Sequence, residues 1–365
     1  MDWQWTREAV SRGVEAGWHR TFHLAVIRHG IAWQISLGEA APDAHGTEAT
    51  CCPWLSAGKP LLALLAGRAV QAGFVDWDDP VAKWLPEFGG GGKHEVTIRH
   101  VLTHTGGFRL ADQLDPAWGW DTALAWACAA PIEPGWVPGE TAGYQARGSW
   151  LVLGEVLRRA WGGELEDLLQ REVTGPLGLG SLGFSWNPAW ATRHGMGWAR
   201  LRRTTRTAGD PGDEVVEPTR IDPGSGLRGT ARDMARLYAA LLDPPDGWLA
   251  RERWKEMVRR QRSGVTDRTF GAVVDFGLGF VLNTPSVQGR PMPYGYGPHA
   301  SLEAFGHSGS QCACAFADPV HGLSVAWWFD GMPGEPVHQA RQRDINAAVY
   351  RDLGRNDAMG SVALA

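Results

Sequence analysis

The stretch that decides how this chain is read is Ser56-Ala57-Gly58-Lys59, continued by the apolar positions Leu61, Leu62, Leu64, Leu65 and Val70. Their spacing predicts a largely buried helix from Ser56 to Gln71, entered after Pro53 and ended by Gly73 as its C-cap. Ser56 then sits at or near the helix N-terminus. Side chains three residues apart on a helix share a face, so the Lys59 amine can reach the Ser56 hydroxyl and take its proton. Lysine does this only if its pKa falls, by burial or a neighbouring cation, whereas arginine stays charged. The chain has four lysines, Lys59, Lys83, Lys93 and Lys255, and Lys59 alone has a serine three residues before it.

Outward from this helix, both ends of the chain have β character. Phe22 to Arg28 and Ile31 to Leu37 read as a hairpin turning at His29-Gly30, preceded by a helix over Trp3 to Ala16. Phe276 to Leu282, Ala313 to Ala317 and Leu323 to Phe329 read as strands, and Asp344 to Leu353 as a closing helix. Between them lie helical segments over Val96 to Thr105, Thr122 to Ala130, Gly148 to Trp161 and Thr230 to Leu242, the last strongly amphipathic. Pro80, Pro86 and Gly89 to Gly92 mark a loop, and residues 202–223 form a long polar one. The expected architecture is α/β: an antiparallel sheet flanked by helices in a discontinuous domain (1–75 plus 224–365), interrupted by a mostly helical insertion (76–223).

Two further segments carry chemistry. Tyr144 lies in Pro138-Gly139-Glu140-Thr141-Ala142-Gly143-Tyr144-Gln145-Ala146, where a phenol can shuttle a proton provided nearby positive charge lowers its pKa. Phe305-Gly306-His307-Ser308-Gly309-Ser310 is a strand edge whose small residues let a backbone N–H approach a substrate carbonyl.

Together, in this order, the three segments resemble the serine β-lactamase and penicillin-binding-protein superfamily, in particular its class C-like branch of esterases, D-amino-acid peptidases and transacylases. Asp78 to Pro86, Val101 to Gly107, Gly226 to Met234 and Phe316 to Ala326 look like family phrases as well. The resemblance implies a β-lactamase/transpeptidase-like fold, Ser56 as nucleophile, Lys59 as base and Tyr144 as proton shuttle. It also implies an oxyanion hole from the backbone N–H groups of Ser56 and Ser310, with His307, Ser308 and Gly309 beside the substrate. Two departures narrow it. Ala146 stands where relatives commonly carry an asparagine that contacts the lysine and substrate. His307 stands where β-lactamases and transpeptidases carry a lysine, and a neutral imidazole is a weaker carboxylate anchor.

Composition sets the remaining bounds. A chain of 365 residues with 44% hydrophobic and 21% charged residues is an ordinary globular protein. Net charge is −5, and the cluster Arg202, Arg203 and Arg206 is cancelled by Asp210, Asp213 and Glu214, so no nucleic-acid partner is expected. No apolar run spans a bilayer, and Met1 to Val10 lacks a secretory pattern. Five cysteines, an odd count, fit buried thiols and a cytoplasmic location. No metal or other cofactor is expected, and His94, His100 and His104 read as packing or surface residues. Trp118, Trp120, Trp136, Trp186, Trp190 and Trp198, from a total of 20 tryptophans, are candidates for a lid that keeps water from an acyl-enzyme.

Three readings follow. The first is acyl transfer from a small-molecule ester through acyl-Ser56, to water as an esterase or to a small amine or alcohol as a transacylase of secondary metabolism. The second is a β-lactamase or D-amino-acid peptidase, disfavoured by Ala146 and His307. The third is an inactive binding module on the same scaffold.

Overall fold

A computed structural model of the protein describes residues 1–38, 49–185, 188–205, 215–216, 222–287 and 289–354. Arg206, Asp210, Asp213, Glu214 and Trp186, singled out above, lie outside them.

The strands are β1 (Thr21–Arg28), β2 (Ile31–Gly38), β3 (Asp275–Phe276), β4 (Val281–Leu282), β5 (Phe305–Gly309), β6 (Ala313–Asp318) and β7 (Leu323–Phe329). They form one seven-stranded sheet in the order β3-β4-β5-β6-β7-β1-β2, and every neighbouring pair is antiparallel. The two ends of the sequence therefore meet at the β7–β1 ladder, with Ala25 opposite Ala326. Phe276 to Leu282 is not one strand: Gly279, at φ +81°, turns the chain back so that Phe276 pairs with Val281.

Strand alternation divides the side chains between two cores. Phe22, Val26, Phe316, Val325 and Trp327 face helices α1 (Gln4–Glu15) and the C-terminal helix Glu335–Asp352. The opposite face is built from Ala25, Ala313, Ala315, Ala317 and Ala326, and these small residues let the helix Ala231–Leu242 lie close. Ser324 donates to the Ala235 carbonyl across that contact at 3.0 Å. The same core continues into α2 (Lys59–Gln71) and, through it, into α3 (Ile98–Leu102), α4 (Trp120–Ala129) and α5 (Gly148–Trp161).

The helices Ala231–Leu242 and Glu335–Asp352 are α6 and α7. Helix α7 begins nine residues before the expected Asp344. Its first turns bury His338, Arg341 and Gln342, which have no apolar periodicity and are held by polar contacts instead. Among the described residues, no helix is long and apolar enough to cross a membrane.

Candidate active site

Ser56 lies in a 3-10 turn, Leu55–Gly58, that runs directly into α2. In a 3-10 turn residues i and i+3 eclipse, which aligns Ser56 and Lys59 more closely than α-helical geometry does. The Lys59 Nζ is 2.9 Å from Ser56 Oγ. Leu55, just before the serine, holds φ at +48°, a left-handed conformation costing a non-glycine residue about 1–2 kcal/mol. Such strain is kept only where the surroundings enforce it.

Lys59 is fully buried, and its Nζ also donates to the carbonyls of Ala146 at 2.7 Å and Gly224 at 2.6 Å. Burial lowers its pKa to about 7; Asp222 and Asp112 oppose the shift, and Arg147 adds to it. A neutral amine has two hydrogens and one lone pair. The two carbonyls can only accept, so they take the two hydrogens, and the lone pair is left for the Ser56 hydroxyl. The side-chain contact that Ala146 lacks is thus replaced, on the lysine side, by its own backbone oxygen.

Both carbonyls are fixed by carboxylates that sequence reading did not single out. Asp112 accepts the N–H groups of Ala146, Arg147 and Gly148 at 2.6, 3.0 and 2.8 Å. Asp222 accepts from Gly224 N–H and Ser225 and pairs with Arg147 at 3.0 Å. The Asp112 contacts span 34 or more residues of sequence, whereas Asp222 reaches Gly224 and Ser225 locally and Arg147 across the sequence.

Tyr144 is half-buried, with its ring centroid 5.3 Å from Lys59 Nζ and 6.0 Å from the His307 ring. Its phenol pKa is raised, against the expectation of a cation-lowered one. Burial is the main cause; the Ser56 hydroxyl offsets it in part, and the Asp112 and Asp267 carboxylates add to it. Lys59, with its pKa brought down to about 7, is only partly charged at pH 7 and compensates less than an ordinary lysine. The phenol keeps its proton. Its backbone is held by Asp267, which accepts the Tyr144 N–H at 3.1 Å, and by Thr269, which donates to its carbonyl at 2.9 Å. Phe270 lies against the ring at 5.1 Å.

His307 is buried, and burial followed by the Lys59 charge lowers its pKa to about 3. Its Nδ1 is 2.9 Å from the Ser308 carbonyl, which accepts only, so the ring hydrogen is on Nδ1. The residue carries no charge for a substrate carboxylate. Ser308 is corrected in part: its hydroxyl accepts from Gln342 at 3.0 Å and faces α7, so only its backbone can border the site. Gly309 is there for contact, since a Cβ would stand 2.3 Å from the Trp54 carbonyl. That close approach brings β5, and Ser310 after it, against the turn holding Ser56. Ser310 also faces Tyr294, whose hydroxyl donates to Glu335.

His94, His100 and His104 pack or lie at the surface, and the described tryptophans depart from expectation. His104 is not a bystander, because its ring lies 4.6 Å from that of Tyr144. His100 caps α3, and His94 is exposed. Among the described residues, the candidate tryptophans do not gather into one lid. Trp118 and Trp120 border a cleft of about 540 Å³ that Arg147 and Asp222 also line, Trp190 stacks on His194, and Trp198 lies under Arg228. Trp136 adjoins the Tyr144 loop, where a Cβ on Gly143 would meet it at 2.8 Å.

Comparison with known proteins agrees with this geometry. The family model described as Beta-lactamase matches residues 6–350. Esterase EstB of Burkholderia gladioli is 31% identical, covering 85% of this chain and 86% of that protein. The structure of a penicillin-binding-protein homologue from Caulobacter crescentus superimposes with a TM-score of 0.74 at 26% identity, over 95% of this chain and 97% of the other. That of EstCE1, described as a hydrolase with promiscuous acyltransferase activity, gives 0.76 at 20% identity, over 95% and 98%.

Proposed function

The chain belongs to the β-lactamase family and is a serine hydrolase or acyltransferase, and from that premise we propose that it cleaves small-molecule esters through an acyl-Ser56 intermediate. Neutral Lys59 takes the Ser56 proton as Oγ attacks the ester carbonyl. The oxyanion is held by the N–H groups of Ser56 and Ser310, each worth on the order of 3 kcal/mol. As the C–O bond breaks, the leaving alkoxide receives a proton through the Tyr144 phenol, which is replenished from Lys59. Water, or an acceptor amine or alcohol, then attacks acyl-Ser56, returning its proton by the same route so that Ser56 is restored.

The observation that carries this reading is the Lys59 amine, held by two carbonyls with its third direction 2.9 Å from Ser56 Oγ. Water is favoured as acceptor, since EstB is an esterase and the tryptophans among the described residues form no common lid. Transfer to an amine or alcohol, with a place in secondary metabolism, is the finer alternative. Ala146 and the uncharged His307 weigh against β-lactam and peptide substrates. The same proposal divides the chain into a sheet domain (1–75 plus 224–365) and an insertion (76–223), and places it in the cytoplasm with its five buried thiols free.

The test is intact-protein mass spectrometry after incubation with a panel of activated esters. An adduct on Ser56, absent in Ser56→Ala, with alcohol released, supports the proposal. No adduct with any ester, and no labelling by a fluorophosphonate, supports the inactive binding module instead.

A further inference from the structure

We propose that His104 is a positioning residue that fixes the Tyr144 phenol over Ser56 by gripping the chain on both sides of it; this rests on the catalytic reading above. The His104 carbonyl accepts the N–H of Gly143 at 3.0 Å, and its Nδ1 accepts the N–H of Gln145 at 3.0 Å. The residues immediately before and after Tyr144 are therefore tied to one residue. Between the two ties, the imidazole lies against the phenol ring at 4.6 Å, with Phe270 as the ring's other neighbour at 5.1 Å.

Presenting backbone oxygen and side chain to the same loop needs an unusual conformation. His104 has φ +56°, which histidine adopts at a cost. The Gln145 bond also fixes the tautomer: Nδ1 accepts, so the hydrogen is on Nε2. That atom is buried and has no hydrogen-bond partner among the described residues. A histidine placed only to fill space needs neither the strain nor an unpartnered N–H, so the arrangement serves the loop. Protonation would remove the acceptor, and burial, with Arg262, Lys59 and His307 nearby, keeps the ring neutral.

The phenol's position matters because it must lie between Ser56, Lys59 and the leaving oxygen, and displacement by about 1 Å can cost on the order of a hundredfold in rate. The test is a double-mutant cycle with p-nitrophenyl butyrate, normalised to folded protein by thermal melting. His104→Phe keeps an aromatic face and loses the acceptor. It is expected to lower kcat about 10- to 100-fold while KM stays within about threefold. His104→Asn, whose oxygen can accept and whose backbone tolerates the left-handed region, is expected to recover most of the loss. In a Tyr144→Phe background, His104→Phe should cost nothing further. If His104→Phe does not fold, His104→Leu carries the same cycle.

A fully additive loss in the Tyr144→Phe background, or unchanged kcat in His104→Phe, overturns the inference and leaves the catalytic reading standing. Retention of activity in both Ser56→Ala and Tyr144→Phe instead overturns the catalytic reading beneath it.

Discussion

Two lysines of this chain are fully buried, and they have different fates. Lys93 donates to three carbonyls, those of Gly90, Cys128 and Ala130, and lies over the Phe88 ring. Lys59 donates to two carbonyls and has a hydroxyl as its third partner. Three obligate acceptors require three hydrogens, so Lys93 is an ammonium pin holding the glycine loop to the end of α4. Two acceptors and a hydroxyl allow a neutral amine with its lone pair on an acid. Burial lowers both pKa values, but only at Lys59 does the partner set give the deprotonated form something to do.

The comparison breaks most sharply by truncation. Lys59→Met should lower kcat/KM per folded molecule on an activated ester by about 10⁴-fold or more, with some loss of stability because the Ala146 and Gly224 carbonyls lose their donor. Lys93→Met should leave kcat per folded molecule near wild type but destabilise the protein by about 3–5 kcal/mol, because three carbonyls lose their donor. Activity assays beside denaturant melts check both. Equal effects on activity would erase the distinction.

Next in size is the contact between strand and turn. Gly309→Ala places a methyl 2.3 Å from the Trp54 carbonyl, so either β5 or the Ser56 turn must shift. A fall in kcat of about 10- to 100-fold is expected, from misalignment of the nucleophile with the Ser310 N–H. Steady-state kinetics on a soluble ester measures it.

The smaller effects sharpen the electrostatics. With Lys59 at about 7, kcat/KM for a neutral ester should rise with pH through an ascending limb near 7 as the amine loses its proton. No descending limb from Tyr144 is expected in the accessible range, since its phenol is raised. Asp222 and Asp112 both raise the lysine pKa, so Asp222→Asn should move the ascending limb to lower pH, with only a several-fold loss at the plateau. A limb that moves to higher pH contradicts the assigned sign.

Sequence carried the sheet and the reacting pair well. The span Gly148–Trp161 is α5 as its periodicity indicates, and Ser56 to Lys59 is one turn with the two groups in contact. It carried less where burial is polar. The first half of α7 was invisible because Arg341 donates to the carbonyls of Gln311 and Gly331 instead of presenting an apolar face. Asp112 was invisible because it acts on backbone distant in sequence, and Asp222 because its local turn at Gly224 and Ser225 does not show its pairing with Arg147. His104 was visible but read only as a packing or surface residue, and its contacts include the two N–H groups flanking Tyr144. The positive charge that a lowered phenol pKa requires is not supplied, because burial raises the Tyr144 pKa and the burial that makes Lys59 a base also removes part of its charge.

With only four lysines to resolve, the protonation of Lys59 can be followed directly by NMR of protein labelled at lysine Cε. The account predicts one signal titrating near pH 7 that disappears in Lys59→Met. A Lys59 signal that stays charged to about pH 10 or above, where an unperturbed lysine titrates, would contradict the account.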